Sequence, residues 1–290
     1  MKKLRASVGT SADMAAGVKI GQVYGGYFSN ENNAEIFCKI GIEPIIKNLP
    51  KKLTLVDFGG GEGFLAKHVR EYLISKTYQV DASVLDANDQ YLEIAKSFGL
   101  STICSSIQDS NLKDVNLIIA RAVIHYNPAE KQQIIFNKIF ESLTKSGYFV
   151  HQLTSGSEEN CKLRSDIVNI KSLCRAAGDF KYKWISEKEC FRMLKKAGFK
   201  ENLVAGYAPS NAWGPQEQWE RFNKKRTDEA KASDNKLLLK KIEKEKNIYL
   251  NEANNLIIKY IAKYGDKDIK KIDDNNYLVE YPYPIIISRR

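Results

Sequence analysis

The sequence predicts an α/β fold, in which a mostly parallel sheet carries helices on both of its faces. The first observation is an apolar run at 54–58 that has no alternating polar face, as in a strand buried on both sides. The second is the glycine loop 59–63 that follows it and leads into a helical pattern over 64–73. The third is that strand and helix patterns keep alternating afterwards, which is typical of parallel strands joined by helices.

Later strands are predicted in chain order from their apolar and β-branched residues. They are Tyr78–Leu85, Ser101–Cys104, a strand from Val115, a strand after Gly147, about Lys200–Tyr207, and a closing strand Tyr277–Ser288. The helices between them carry end signals. Asn88 or Asp89 caps the second, Pro128 starts the helix after the fourth strand, and Ser186 with Glu189 forms a capping box.

The glycine loop has the composition of a nucleotide site. Glycine has no Cβ, so a ligand can approach the main chain closely, and the amides at the start of the following helix face that ligand. A dinucleotide fingerprint fits only as Gly61, Gly63 and Ala66, which starts late because the strand ends near Phe58. Started at Gly59 instead, its third position would be a phenylalanine, which is too large for close helix–strand packing.

A different pattern, acid-x-Gly-x-Gly-x-Gly, fits directly as Asp57, Gly59, Gly61 and Gly63. It resembles the first motif of the class I S-adenosylmethionine-dependent methyltransferases. A carboxylate at the strand end would repel a pyrophosphate but suits a ligand that carries an ammonium and a sulfonium. The alternative is a glycine-rich turn without a ligand.

The resemblance implies a seven-stranded Rossmann-like sheet, with the last strand antiparallel and inserted between the fifth and the sixth. It divides the chain into an N-terminal helical lid (1–50), a cofactor-binding core (51–208), a helical insertion or cap (209–273) and a closing strand (274–290). The insertion is highly charged. Its apolar stripe is interpreted as packing, as a cap over the substrate pocket or as a dimerisation arm.

The resemblance also implies the residues that hold S-adenosyl-L-methionine. Asp86 ends the second strand one strand–helix–strand unit after Asp57, where the family's acid accepts hydrogen bonds from the ribose hydroxyls; the alternative is an acid in a surface turn. Further cofactor contacts are expected from four more residues: Ala87, Ser106, Ile107 and Arg121. The acid that contacts adenine in many members is absent or displaced, with Asp109 as a candidate substitute.

Three tyrosines are candidates for the substrate side and the lid. Tyr24 and Tyr27 belong to an aromatic-glycine cluster in the N-terminal segment, and Tyr126 follows the fourth strand. The first two could equally be packing residues.

Two histidines are candidates for catalysis. Methyl transfer needs mainly alignment of the reactants, and a base only where the acceptor must lose a proton. His125 follows the fourth strand, where the ligand cleft of such a sheet opens, and His151 lies on the fifth strand. A structural role is the alternative for both, and no metal site is expected.

The composition bounds location and partners. The five cysteines are scattered and include no C-x-x-C pair, which predicts free thiols in the cytoplasm. The sequence contains no apolar run of 18 residues, so no transmembrane helix is expected. The net charge of +10 permits a nucleic-acid partner, but acids are interspersed with the bases.

These features favour a methyltransferase that acts on an oxygen or nitrogen of a small molecule. Ala120–Val123 stands where the Asn/Asp-Pro-Pro-Tyr/Phe motif of enzymes that methylate base nitrogens would lie. The alternatives are a tRNA or protein methyltransferase that uses the basic surface, and a cofactor-binding protein without catalysis.

Overall fold

The computed structural model describes residues 27–171, 173, 181–210, 212–273 and 276–290. The strands of its main sheet are β1 Lys52–Phe58, β2 Gln79–Asp86, β3 Ser101–Cys104, β4 Val115–Arg121, β5 Leu143–Gln152, β6 Glu201–Ala208 and β9 Tyr283–Arg289. These seven strands lie in the order β3-β2-β1-β4-β5-β9-β6.

The pairing confirms the predicted sheet. Strands β1 to β5 pair in parallel, whereas β9 pairs antiparallel with both β5 and β6 and lies between them. In this register Asp57 lies opposite Val84 of β2 and Ile119 of β4. The carboxyl ends of β1, β2 and β4 therefore meet at one edge of the sheet, where ligands bind in open α/β sheets.

Eight α-helices are described along the chain. They are α1 Glu31–Phe37, α2 Phe64–Ser75, α3 Asp89–Ser97, α4 Ala129–Ser142, α5 Glu158–Val168, α6 Glu187–Ala197, α7 Pro215–Ala232 and α8 Lys236–Tyr264. The predicted caps are confirmed: the Asn88 side chain accepts from the amide of Gln90, and Ser186 accepts from that of Glu189.

Two apolar cores cover the two faces of the sheet. On β4, Leu117 and Ile119 belong to the core that also contains α2, while Ile118 and Ala120 belong to the core beneath α4 and α6. This alternation follows from the two-residue period of a strand, and both sets are apolar because each face is covered by helices.

The segment between β6 and β9 contains more than helices. Helices α7 and α8 are followed by a hairpin of β7 Ile269–Asp273 and β8 Asn276–Val279. The prediction of one closing strand over Tyr277–Ser288 was therefore wrong, because its first residues pair in this hairpin and only Tyr283–Arg289 joins the main sheet. Pro282 lies between the two strands, and proline has no N–H to donate to a ladder.

Two composition-based expectations have structural counterparts. Four of the five cysteines have free thiols, and Cys174 lies outside the described residues. Within the described ranges, no helix combines the length and apolar character needed to cross a bilayer.

Candidate active site

A cleft opens at the sheet edge where β1, β2 and β4 end. It encloses about 1120 Å³ of space, counting the solvent at its open mouth. Its floor is the glycine loop with Asp57 and Asp86, and one wall is 105–108. The other wall is formed by Phe28, 121–123, Tyr126 and Asn127.

The glycine loop adopts the backbone that its sequence pattern predicts. Gly59, Gly61 and Gly63 all have positive φ, of 68°, 55° and 77°, which side-chain-bearing residues rarely adopt. Gly59 and Gly61 line the cleft, whereas Gly63 caps α2 away from it. A Cβ on Gly63 would lie 2.7 Å from Leu100, so this glycine serves close packing of helix on strand.

Asp57 lies beneath the loop with its carboxyl group aimed at the main chain. A Cβ on Gly60 would lie 2.6 Å from Asp57 Oδ2, so the loop passes directly over the carboxylate. The residue is 1% exposed, and Oδ2 has no hydrogen-bond partner among the described residues. Burial raises the pKa of Asp57 to about 7, although the positive charge of Arg121 opposes the shift.

Asp86 ends β2 beside the same loop. Its carboxylate accepts hydrogen bonds from the amides of Gly61 (3.0 Å) and Asn88 (2.9 Å), which fix its orientation at the cleft. Burial raises its pKa, and the backbone hydrogen bonds oppose that shift. Ala87, also predicted from the sequence, lines the cleft next to it.

The wall after β3 brings Ser106 and Ile107 to the cleft. Ile107 is buried and presents an apolar side chain, while the Ser106 hydroxyl donates to Asp109 at 2.7 Å. Asp109 does not line the cleft. Gln108 donates to Asn127 at 3.2 Å and so joins this wall to the loop after β4.

Arg121 closes the cleft on the β4 side. Its Nη2 donates to the carbonyl of Phe28, and its guanidinium lies 5.2 Å from the Phe28 ring centre. Nη1 has no hydrogen-bond partner in the described part of the chain. Burial lowers the pKa of Arg121 to about 10, so it stays charged at neutral pH.

The predicted tyrosines take different positions. Tyr126 lines the cleft. Tyr27 does not: its hydroxyl donates to the carbonyl of Pro209 at 2.8 Å and accepts from Gln152, while its ring packs against Tyr283. Tyr24 lies outside the described residues.

His125 lies one ring away from the cleft. It is 3% exposed, stacks on Trp184 at 4.6 Å, and contacts the cleft-lining Tyr126 at 4.3 Å. Burial, together with the positive charges of Arg164 and Arg221, lowers the pKa of His125 well below 6.5. The imidazole is therefore neutral at pH 7, and its Nε2 has no partner among the residues described.

His151 is not brought to the cleft. It stacks on Phe149 at 4.3 Å on the face covered by α4 and α6, and its Nε2 lies 3.4 Å from the sulfur of Cys190. Burial lowers the pKa of His151 to about 3.

Sequence reasoning did not assign Phe28, Tyr91, Gln108 or Asn127 to the cleft, which they line. Phe28 belongs to the same aromatic-glycine cluster as Tyr24 and Tyr27. Gln108 and Asn127 each adjoin a predicted site residue, so extending those loops by one position would have found them.

Comparisons with known proteins identify the fold. No protein-family model and no curated protein match the sequence. Among solved structures, the YcgJ protein of Bacillus subtilis is similar, with a TM-score of 0.60 and 13% identity over 90% of this chain and 99% of that one. A candidate methyltransferase of Bacillus halodurans C-125 has a TM-score of 0.58 and 13% identity, over 89% and 98% of the two chains.

Identities this low establish shared architecture and nothing finer. The strand order, the antiparallel β9 and these neighbours together show the Rossmann-like fold of class I methyltransferases. A shared fold does not by itself establish an activity.

Proposed function

We propose that this chain, which has the class I methyltransferase fold, is an S-adenosyl-L-methionine-dependent methyltransferase. The observation that carries the proposal is the glycine loop lying over a buried carboxylate with an unpartnered oxygen, Asp57, with Asp86 ending the next strand. The spacing of both acids follows from the parallel register of β1 and β2.

The cleft suits this cofactor better than a dinucleotide. Asp57 would balance the ammonium and sulfonium charges, and the buried, oriented Asp86 would accept hydrogen bonds from ribose hydroxyls. Ile107 and Tyr91 offer apolar and aromatic surfaces for a base. A pyrophosphate over the same loop would meet the Asp57 carboxylate, which is unfavourable.

The cofactor supplies an electrophilic methyl group, and the chain's own residues would do the remaining work. Phe28, Tyr126 and Arg121 border the cleft and would exclude water and fix the direction of approach. His125 is our candidate base where the acceptor is a hydroxyl, because it is neutral and close to Tyr126. His151 is the second candidate, but its packing between Phe149 and Cys190 supports it less.

The acceptor that we propose is an oxygen or nitrogen of a small molecule. The groups packed around His125 support this choice, because Tyr126 lines the cleft and Trp184 lies in the interior behind it and not on the protein surface. A tRNA or protein acceptor on the basic surface is the second candidate, and the net charge of +10 is the observation that favours it. Binding without turnover is the third.

Calorimetry with S-adenosylmethionine, its demethylated product and NAD tests the cofactor assignment. We expect the first two to bind and the dinucleotide not to bind. Transfer of a labelled methyl group to the small-molecule fraction of a cell extract, and not to RNA or protein, would support the first acceptor class. Label in RNA, with binding that weakens steeply in salt, would support the second.

A further inference from the structure

A second polar centre lies behind His125, around Arg164 on α5. Arg164 is 2% exposed and is the largest of the fully buried side chains described. Its Nε and Nη1 have no hydrogen-bond partner, and it forms no ion pair with any residue in the described ranges. An unpaired charge in the protein interior is destabilising, and a bound anion would remove this cost.

Three aromatic rings surround the guanidinium. Its central carbon lies 4.2 Å from the ring centre of Tyr281, 4.7 Å from that of Trp184 and 5.7 Å from that of Trp213. The two tryptophans are held in place by hydrogen bonds, since Trp184 Nε1 donates to Thr154 and the Trp213 backbone pairs with Val279. We call these three rings and Arg164 the arginine box.

The three rings stabilise the charge of Arg164 but do not accept hydrogen bonds from its N–H groups. The ring faces stabilise the positive charge. The five N–H groups of a guanidinium point outward in its own plane, where a ring face cannot accept them. A carboxylate or phosphate lying in that plane would satisfy the donors and neutralise the charge.

A neighbouring acid is already paired. Glu189, which interacts with Cys161 on α5, forms an ion pair with Lys183. The other titratable groups that interact with Arg164 are His125, Cys161 and Tyr281, and none of them is an anion at neutral pH in this setting. Among the described residues, no carboxylate forms an ion pair with Arg164.

Packed side chains join the box to the cleft. Trp184 stacks on His125, and His125 contacts Tyr126, which lines the cleft. Two further buried atoms without partners among the described residues, His125 Nε2 and the Tyr281 hydroxyl, belong to the same cluster. A small molecule that reached from Arg164 towards Tyr126 would pass both.

We propose that Arg164 binds an oxyanion group, a carboxylate or a phosphate, on the methyl acceptor. This inference rests on the proposed methyltransferase function and narrows its substrate to small acids. The charged end would be held in the arginine box, and the atom to be methylated would point past His125 to the cleft.

Binding of simple anions to the full chain tests the box without knowledge of the acceptor. We would titrate the protein with benzoate, phenyl phosphate and neutral benzamide, and follow tryptophan fluorescence, since Trp184 and Trp213 form two of its walls. We expect saturable binding of an anion and at least about tenfold weaker binding of benzamide. Tighter binding of benzoate would indicate a carboxylate on the acceptor, and tighter binding of phenyl phosphate would indicate a phosphate.

Arg164→Met should abolish this selectivity. Arg289→Met is the matched control, because the Arg289 side chain is 45% exposed and pairs with Glu201 at the opposite end of β9 from Tyr281, and it should bind the anions as the parent does. The melting temperature of ligand-free Arg164→Met should equal or exceed that of the parent, because an unpaired buried charge has been replaced by an apolar side chain of similar length.

Three results would overturn the proposal: no saturable anion binding by the parent, equal binding by Arg164→Met, or a melting temperature of that variant several degrees lower. The last would show that Arg164 already has a structural partner. Calorimetry with S-adenosylhomocysteine on the same samples keeps the two proposals separate. If the parent does not bind S-adenosylhomocysteine, the methyltransferase assignment is contradicted. If the parent binds S-adenosylhomocysteine but not the anions, only the proposed role of Arg164 is contradicted.

Discussion

Asp57 and Asp86 end two neighbouring parallel strands, and both carboxyl groups line one cleft beneath the same glycine loop. Each has its pKa raised by burial, and the negative charge of Asp86 raises that of Asp57 further. Two acids in this position make a floor that favours a cation and a diol over a phosphate. The predictions for the cofactor follow from this pair.

Replacing Asp86 should weaken cofactor binding. Asp86→Ala removes the charged acceptor for the ribose hydroxyls, and we expect a loss of about 1–3 kcal/mol in the binding free energy of S-adenosylhomocysteine. Asp81→Ala on the same strand is the control, because Asp81 is exposed to solvent. Isothermal calorimetry measures both, and unchanged affinity in Asp86→Ala would contradict the assignment.

Cofactor affinity should depend on pH through Asp57. Its pKa is about 7 in the ligand-free protein, so the carboxyl is protonated below pH 7 and charged above it. A cationic ligand binds the charged form, so S-adenosylmethionine affinity should rise by up to about tenfold between pH 6 and pH 8. Asp57→Asn cannot ionise, so its affinity should be lower and flat over this range, whereas Asp81→Asn should behave as the parent. A flat parent profile would show that Asp57 does not interact with the ligand's charge.

The sequence predicted the parts of this site that depend on local chemistry. The glycine register rests on backbone angles, and the positions of Asp57 and Asp86 follow from strand ends in a parallel sheet. The arginine box could not be predicted, because Arg164, Trp184, Trp213 and Tyr281 come from separate segments of the chain. No periodicity links them; only the packing of α5 against the loops before α6, α7 and β9 does.

The same distinction explains the errors around β9. The largely apolar run from Tyr277 to Ser288 looks like one strand, but its two halves pair with different partners. The first part pairs with Ile269–Asp273 as β8, whereas the second part pairs with β5 and β6 as β9. Pairing partners are long-range information that a single segment does not contain.

His151 should make the protein sensitive to acid. Its pKa is about 3 in the folded protein, against about 6.5 in an unfolded chain, so between these values only the unfolded state binds the proton. Stability is therefore retained above pH 6.5 and lost as the pH falls towards 3, by about 2 kcal/mol at pH 5. His151→Leu should lose less stability than the parent between pH 7 and pH 5 in urea unfolding. Burial also lowers the pKa of His68, but this site is only half-buried, so His68→Leu should change the difference less than His151→Leu does. If the stability of His151→Leu has the same pH dependence as that of the parent, the imidazole is not buried in its neutral form. If the folded variant loses turnover, His151 has a catalytic role instead.

His125 provides the test of proton transfer. Its low pKa keeps it neutral at pH 7, and its Nε2, without a partner in the described chain, lies in the cluster that joins Arg164 to the cleft. If the acceptor is a hydroxyl, His125→Ala should lower kcat by roughly 10²–10⁴-fold, the range for a positioned general base. The affinity for S-adenosylhomocysteine should barely change, because the proposed cofactor contacts are at Asp57 and Asp86. His125→Gln, which preserves a polar side chain but cannot take up the proton, should lose as much activity as alanine. If turnover falls less than tenfold in both variants, the acceptor needs no base, and alignment of the reactants alone accounts for the rate.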